Sequence, residues 1–413
     1  MSEDRPEADA GAPSDASARK DASGRDDAGD DALRTELIDA IRGHRTGFEN
    51  AGERSEQIRA LPEEAAQTLR RMGLFWLKTP GELGGTPLTP LEFCDVMEEL
   101  GYTDSSTAWL AMVGNGGTGT AAGWLPDAGV RRVFVPGGPR PLVVGVPRAA
   151  GRGRPVAGGY VISGRWGFAS GIAHADWLIA GFQEAGADAR ALVSVVPVRD
   201  VQVADNWRVA GLQGTGSPDF LMDEVFVPAE LTFARAGRAV RGGALFRQEE
   251  HVFLSNEVPP LCVGMARRAL DEMAALAGRT TRFPGGPAVS ERAVFHKELG
   301  RAATKVRAAR LVHREAVLAA WEEALAGGEA SQEVHAAVTA ASIFAVETCA
   351  EVIGDLFRYG GGRVLALSGL MQRQLRDALG ARQHIGVSEH FYEVAGRLRV
   401  QGRFPRPKAV SGR

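Results

Sequence analysis

The spacing of apolar positions changes twice along the chain. From Ala32 to about Ala122 it is helical: Leu33, Leu37, Ile38 and Ile41 fall on one face. LPEEAAQTLRRMGLF places Pro62 in a first turn and Gly73 near an end. TPLEFCDVMEELG predicts a helix with Thr89 as N-cap, Pro90 next, Glu92 completing a capping box and Gly101 closing it. From about Pro141 to Pro228 the period falls to two, in runs such as PLVVGV, GYVISGRW, ADWLIAGF, ALVSVVPV and FLMDEVFVP separated by Gly, Asp and Pro. These runs predict a small antiparallel sheet or barrel. From about Leu245 helical spacing returns in VGMARRALDEMAALAG, in the long stretch from Glu291 to Gly327 and in QEVHAAVTAASIFAVETCAEVIGDLF, lengths suited to an antiparallel bundle. The expected class is α+β, mostly α: an N-terminal helical domain over 32–138, a middle antiparallel β-domain over 139–232 and a C-terminal four-helix bundle over 243–400.

Composition narrows the setting. With 413 residues, 44% of them hydrophobic, the chain can bury a large core. A formal charge of -3 suggests neither nucleic acid nor an anionic membrane as a partner. Cys94, Cys262 and Cys349 are too scattered for a disulfide framework or a zinc site, and no His-x-x-x-His pair stands beside a carboxylate cluster, so no metal is expected and a reducing cytoplasm fits. Residues 1–31 are rich in Asp, Ala, Ser and Gly with no apolar run, which reads as a disordered acidic tail rather than a signal or anchor; 401–413 read as a second tail.

The stretch GRWGFASGIAHADW, from Gly164 to Trp177, gathers aromatic rings, a serine and small residues between two strands. Alone, Trp166, Phe168 and Trp177 read as core aromatics. Together with the helix, sheet, helix order, the stretch resembles the acyl-CoA dehydrogenase fold over about 32–400. DNWRVAGLQGTGSPDFLMDEVFVP resembles the second β-domain signature of that family, and RYGGGRVLALSGLMQRQLRDALGARQH its last-helix region, with Gly360, Gly361, Arg376, Asp377 and Ala378 carrying the match. The family's dehydrogenases place a glutamate base shortly after the Arg-Asp-Ala triplet. Here that position is Ile385, preceded by His384, and an isoleucine accepts no proton. The wording G-R-W-x-F-x-S-G and a histidine after R-D-A resemble instead the oxygenase branch, the two-component flavin monooxygenases such as 4-hydroxyphenylacetate hydroxylase, dibenzothiophene monooxygenase and the nitrososynthases.

That resemblance implies a reduced flavin, FADH2 or FMNH2, delivered by a separate NAD(P)H flavin reductase, with O2 as co-substrate and a C4a-hydroperoxyflavin oxygenating an aromatic or amino-bearing small metabolite. It implies a flavin pocket made of Trp166, Phe168, Ala169, Ser170 and Gly171, with the Ser170 hydroxyl at flavin N5. It implies His384 as the group that polarises substrate or donates a proton, since imidazole titrates near neutral pH. Arg279 or Arg282, with Phe283, would hold the far end of the flavin, and Gly360 and Gly361 would approach the flavin of a neighbouring subunit in a homotetramer. Asn115, Gly116, Gly117 and Trp207 would line the substrate pocket.

Other readings stay open. A dehydrogenase could use Glu250 or Glu257 as a relocated base, and a scaffold or ligand-binding protein could keep the fold without turnover. The run GNGGTG, Gly114 to Gly119, satisfies G-x-G-x-x-G, yet it follows AWLAMV on an apparent helix and lacks a βαβ setting, which excludes a dinucleotide fingerprint. His174 reads as a solvated turn residue. His44, His296, His313 and His335 read as ordinary helix residues, and His390 does not stack on His384.

Overall fold

A computed structural model describes residues 27–403, apart from 187–188, 249, 282 and 284. Six helices come first: α1 (Asp27–Gly43), α2 (Arg45–Ile58), α3 (Glu63–Arg71), α4 (Pro90–Thr103), α5 (Ser105–Trp124) and α6 (Asp127–Val133). Seven strands follow: β1 (Val143–Val156), β2 (Gly159–Trp166), β3 (Trp177–Glu184), β4 (Ala191–Pro197), β5 (Gln202–Val203), β6 (Phe220–Pro228) and β7 (Thr232–Ala234). The chain ends in α7 (Glu250–Ser255), α8 (Val258–Ala277), α9 (Ala293–Leu325), α10 (Gln332–Phe357), α11 (Leu370–Ala381) and α12 (His390–Val400). The expected helix, sheet, helix class holds. Helix α1 begins at Asp27, inside the stretch expected to be a tail; residues 1–26 and 404–413 lie outside the described residues.

The capping box on α4 forms as expected: Thr89 Oγ1 accepts from Glu92 N, and Thr89 N donates to Glu92 Oε2 at 2.9 Å. The helix does not close at Gly101 but runs on to Thr103. Gly101 serves packing, because a side chain there would strike the Leu261 carbonyl on α8, and one at Gly264 would strike Glu98 O on α4. The two glycines let α4 and α8 cross closely at the centre of the core. Asp104 then starts α5, its Oδ1 accepting from Thr107 N at 2.8 Å.

The sheet runs β5-β6-β2-β1-β3-β4-β7. Its pairings are antiparallel, as expected, except that β1 and β3 are parallel. The reason is topological. Strand β2 returns along β1 and ends beside its beginning, and the chain then crosses the start of β1 to enter β3 on the other side. Residues 167–176 make that crossing. The stretch whose composition suggested a ligand is therefore an irregular passage between strands that packs on α5.

Candidate active site

Trp166 ends β2 with its side chain turned inward. It is fully buried, its ring stacks on Phe220 at 5.0 Å, and its Nε1 donates to Gly181 O at 2.7 Å. The expectation that it forms a flavin wall is corrected: its faces and its one donor are already used in packing the sheet. Phe168, two residues on, is the opposite case. It has a left-handed backbone (φ 67°), which costs an aromatic residue about 1–2 kcal/mol, and its side chain is 75% exposed. A strained backbone that presents a large ring to solvent marks a functional position. The ring meets the edge of Trp207 at 6.2 Å. Trp207 is itself fixed by Nε1 donating to Gln213 O at 2.9 Å and by Arg59 Nη1 bonding its carbonyl at 3.3 Å.

The rest of the crossing is tied to the loop before β6. Ala169 N donates to Pro218 O at 3.1 Å and Gly171 N to Thr215 O at 2.9 Å. Gly171 (φ 77°) packs where a side chain would collide with Leu110 of α5. Ser170 lies between them at the centre of a polar chain. Trp109 Nε1 donates to Ser170 Oγ at 3.1 Å; Ser170 Oγ and Ser217 Oγ are 2.6 Å apart, Ser217 Oγ and Thr215 Oγ1 2.7 Å, and Thr215 Oγ1 donates to Leu212 O at 2.8 Å. His384 enters from the far end of α11. Its ring meets Trp109 edge to face at 5.6 Å, and its Nδ1 accepts from Gly386 N at 3.2 Å. With Nδ1 accepting, the neutral ring carries its proton on Nε2. Ser170 and His384, 214 positions apart in the chain, thus share one neighbour, Trp109. Ile385, where a dehydrogenase base would stand, is exposed.

Asp377 draws together the elements that carry these groups. Its Oδ1 accepts from Leu212 N at 2.5 Å and its Oδ2 from the Ser105 hydroxyl, so α11, the 212–217 loop and the first turn of α5 meet on one buried carboxylate. Burial pushes that carboxyl up to about 6. Trp109, Thr215 and Ser217 escaped the sequence reading. The available signals were a tryptophan on a helix otherwise rich in Ala, Gly and Thr, and two hydroxyls within GTGSPD.

Asn115 and Gly117 do not line a substrate pocket. Asn115 is fully buried, its Oδ1 accepting from Leu77 N at 2.7 Å and its Nδ2 donating to Leu74 O at 2.6 Å and Ala111 O at 2.9 Å. Its oxygen and its amide nitrogen are both bonded to backbone. Gly117 allows α5 to lie against the Val143 carbonyl, and Gly116 faces Glu257 and Leu254. The whole of GNGGTG lies inside α5, which agrees with its exclusion as a nucleotide loop. His174 is anchored rather than solvated, its ring nitrogens bonding Glu63 at 2.9 Å and Leu61 O at 2.8 Å.

Residues 44–123 match the acyl-CoA dehydrogenase N-terminal domain and residues 259–389 the acyl-CoA dehydrogenase C-terminal domain. A pigment production hydroxylase from a Rhodococcus species is 30% identical over 370 residues, 84% of this chain and 91% of that protein. The FADH2-dependent resorcinol hydroxylase oxygenase component of a Rhizobium species is 29% identical over 376 residues, 85% of this chain and 90% of that protein. This chain belongs to the oxygenase branch of the acyl-CoA dehydrogenase superfamily. XiaF from a Streptomyces species, solved with FADH2 and glycerol, shares the branch's fold with a TM-score of 0.85 at 24% identity, covering 93% of this chain and 99% of that one.

The residues present suit the flavin of that branch. A flat heteroaromatic ring needs apolar faces and a few edge contacts, and Phe168, Trp207 and Ser170 offer both. A second group of expected flavin ligands lies at the other end of α11, whose 12 residues span about 18 Å. There Gly361 (φ 62°) opens the turn Gly361–Leu365, Arg363 Nη1 donates to Arg279 O at 3.2 Å, and Phe283 is 73% exposed. Arg282 lies outside the described residues. One chain therefore gathers Ser170, Phe168, Trp207 and His384 at one place, and Arg279, Phe283, Gly360 and Gly361 at another.

Of the two alternative bases, Glu257 is already engaged. Glu257 is buried, with Oε1 held by Lys78 Nζ at 2.8 Å. Lys78 also donates to Phe253 O at 2.7 Å and Asn256 Oδ1 at 3.0 Å. Burial raises the Glu257 carboxyl and lowers the Lys78 ammonium, while their pairing opposes both shifts. A carboxylate that anchors a buried ammonium serves the packing of α8 against the 74–78 segment. Glu250 is the first residue of α7.

Proposed function

We propose that the chain is the oxygenase component of a two-component system that hydroxylates an aromatic small molecule, working with a separate flavin reductase. The observation that carries this reading is the convergence of Ser170 and His384 on Trp109, with the exposed Phe168 two residues before Ser170. Bound reduced flavin supplies the two electrons that allow one atom of O2 to enter the substrate and the other to leave as water. The chain does the rest. Phe168 and Trp207 offer edge-to-face aromatic walls that shed water from one side of the site. Ser170 bonds the flavin edge. The Nε2 proton of neutral His384 suits donation to a phenolic oxygen, and Trp109 packs edge to face against the imidazole.

The second cluster belongs to the same proposal. Exposed Phe283, four residues from Arg279 whose carbonyl holds the Arg363 guanidinium, suits an adenosine and its pyrophosphate, and about 18 Å of helix separates this turn from His384. We assign it to a neighbouring copy's flavin. An exposed stripe of Leu311, Leu318 and Leu325 at heptad spacing on α9, with Phe344 on α10, gives the face on which such copies would meet in a homotetramer.

The test is turnover under heavy-isotope oxygen gas. The protein, reduced FAD or FMN from an unrelated reductase and a panel of phenols and indoles would be incubated together. The reading requires the heavy oxygen to appear in a product. A protein that retains flavin yet yields only peroxide with every phenol and indole would exclude this substrate class; one that retains no flavin in either redox state would exclude the reading altogether.

A further inference from the structure

We infer that Ser217 and Thr215 are positioning residues that commit the Ser170 proton inward, so that Ser170 offers only a lone pair to the flavin edge and the site selects reduced over oxidised flavin. The inference rests on the flavin reading above, and it follows from counting protons. Trp109 Nε1 has one proton and nothing to accept with, so it donates to Ser170 Oγ. At the other end Leu212 O has no proton, so Thr215 Oγ1 donates to it. Thr215 has no second proton, so Ser217 donates in their 2.7 Å contact. The Ser217 proton is then used, so Ser170 donates in the 2.6 Å contact.

In this order every proton of the chain has an acceptor, and Ser170 keeps one vacant lone pair. Reversing the hydroxyls leaves Leu212 O with only the bond from Thr215 N at 3.1 Å, and losing the hydroxyl bond lowers the reversed population by roughly two- to tenfold. Ser170 is the least buried of the three residues, 9% exposed against 4% for Thr215 and 2% for Ser217. The inner end cannot drift. Leu212 has a left-handed backbone (φ 54°) and its N–H is held by Asp377, whose other oxygen takes the proton of Ser105. Ser105 and Trp109 are one turn apart on α5, so the chain begins and closes on the same helix.

Reduced flavin carries a hydrogen at N5, whereas oxidised flavin has a lone pair there. A hydroxyl able only to accept bonds the first and opposes the second. No hydrolysis, transfer or redox step by these side chains is involved.

The experiment compares affinities of dithionite-reduced and oxidised FMN and FAD, by anaerobic titration, for the wild type, Thr215→Val, Ser217→Ala and Thr215→Ser. The wild type should favour reduced flavin. Thr215→Val keeps the shape and frees Ser217 to donate outward, so the preference should shrink by roughly two- to tenfold. A tenfold change appears equally as a shift of about 30 mV in the bound flavin's midpoint potential. Ser217→Ala should do the same through Ser170 itself, and Thr215→Ser should match the wild type. Equal weakening of both redox forms, with the preference unchanged, would assign these hydroxyls to packing and overturn the inference. So would a wild type that binds both forms alike. Failure to bind either form would instead sink the flavin reading on which it rests.

Discussion

Replacing Asp377 by Asn tests how a buried carboxylate holds the site together. The group is 1% exposed, and burial is the main cause of a carboxyl at about 6 instead of 3.8. Neighbouring Asp104 and Glu56 push the same way, while the bonds from Ser105 and Leu212 partly oppose them. Because the folded value lies above the unfolded one, the folded state holds the extra proton between about pH 4 and 6. Asp377 therefore costs nothing below about pH 4, and its cost grows as pH rises, levelling off above about 6. At 1.36 kcal/mol per unit the full change is about 3 kcal/mol. Asn keeps an oxygen for Leu212 N and turns an N–H toward Ser105, whose hydroxyl can accept instead, so both contacts of the side chain are kept without a charge. Urea midpoints measured from pH 4 to 8 should fall for the wild type relative to Asp377→Asn as pH rises toward 6. Parallel curves for the two proteins would refute the account of this carboxylate. Asp377→Ala leaves both donors without an acceptor, so about 2–6 kcal/mol should be lost near pH 4, where the ionisation cost is absent, and less at pH 7.

Lys78→Met leaves Glu257 without its partner in a buried site, and should lower stability by about 3–5 kcal/mol in chemical denaturation. Phe168→Gly removes left-handed strain of about 1 kcal/mol; it should raise the unfolding midpoint while weakening flavin binding in the same titration. His384→Ala should retain reduced flavin but lose roughly 10²- to 10⁴-fold in substrate oxygenation, read as product per O2 consumed. Trp109→Phe keeps an aromatic edge for His384 and removes the donor to Ser170, so peroxide leakage should rise with flavin affinity little changed.

The architecture was legible because it rests on local signals. Thr89, Pro90 and Glu92 build a cap within four residues, and the long apolar faces of α8, α9 and α10 repeat with the period of a helix. What escaped was set by packing. Gly101 looks like a helix end, but the close approach of α8 keeps α4 running past it. Asn115 looks like a pocket residue, but the backbone at 74–77 consumes its amide. In GRWGFAS, position along the strand decides the roles: Trp166 is the last residue of β2 and points inward, whereas Phe168 lies past the strand end on a left-handed backbone. Ser170 could be singled out from sequence through family resemblance. Its partners, 61 residues before and 47 after it, could not, since no periodicity links Trp109, Ser170 and Ser217.

The most direct test of the central claim is rapid mixing of the anaerobic protein, loaded with reduced flavin, with oxygenated buffer, following both O2 consumption and hydrogen peroxide release. For the wild type, O2 uptake should precede peroxide release, with the oxidising equivalents retained until an aromatic substrate is added; in Ser170→Ala the release should follow uptake at once. Immediate stoichiometric peroxide from the wild type, unaltered by Ser170→Ala, would contradict the account.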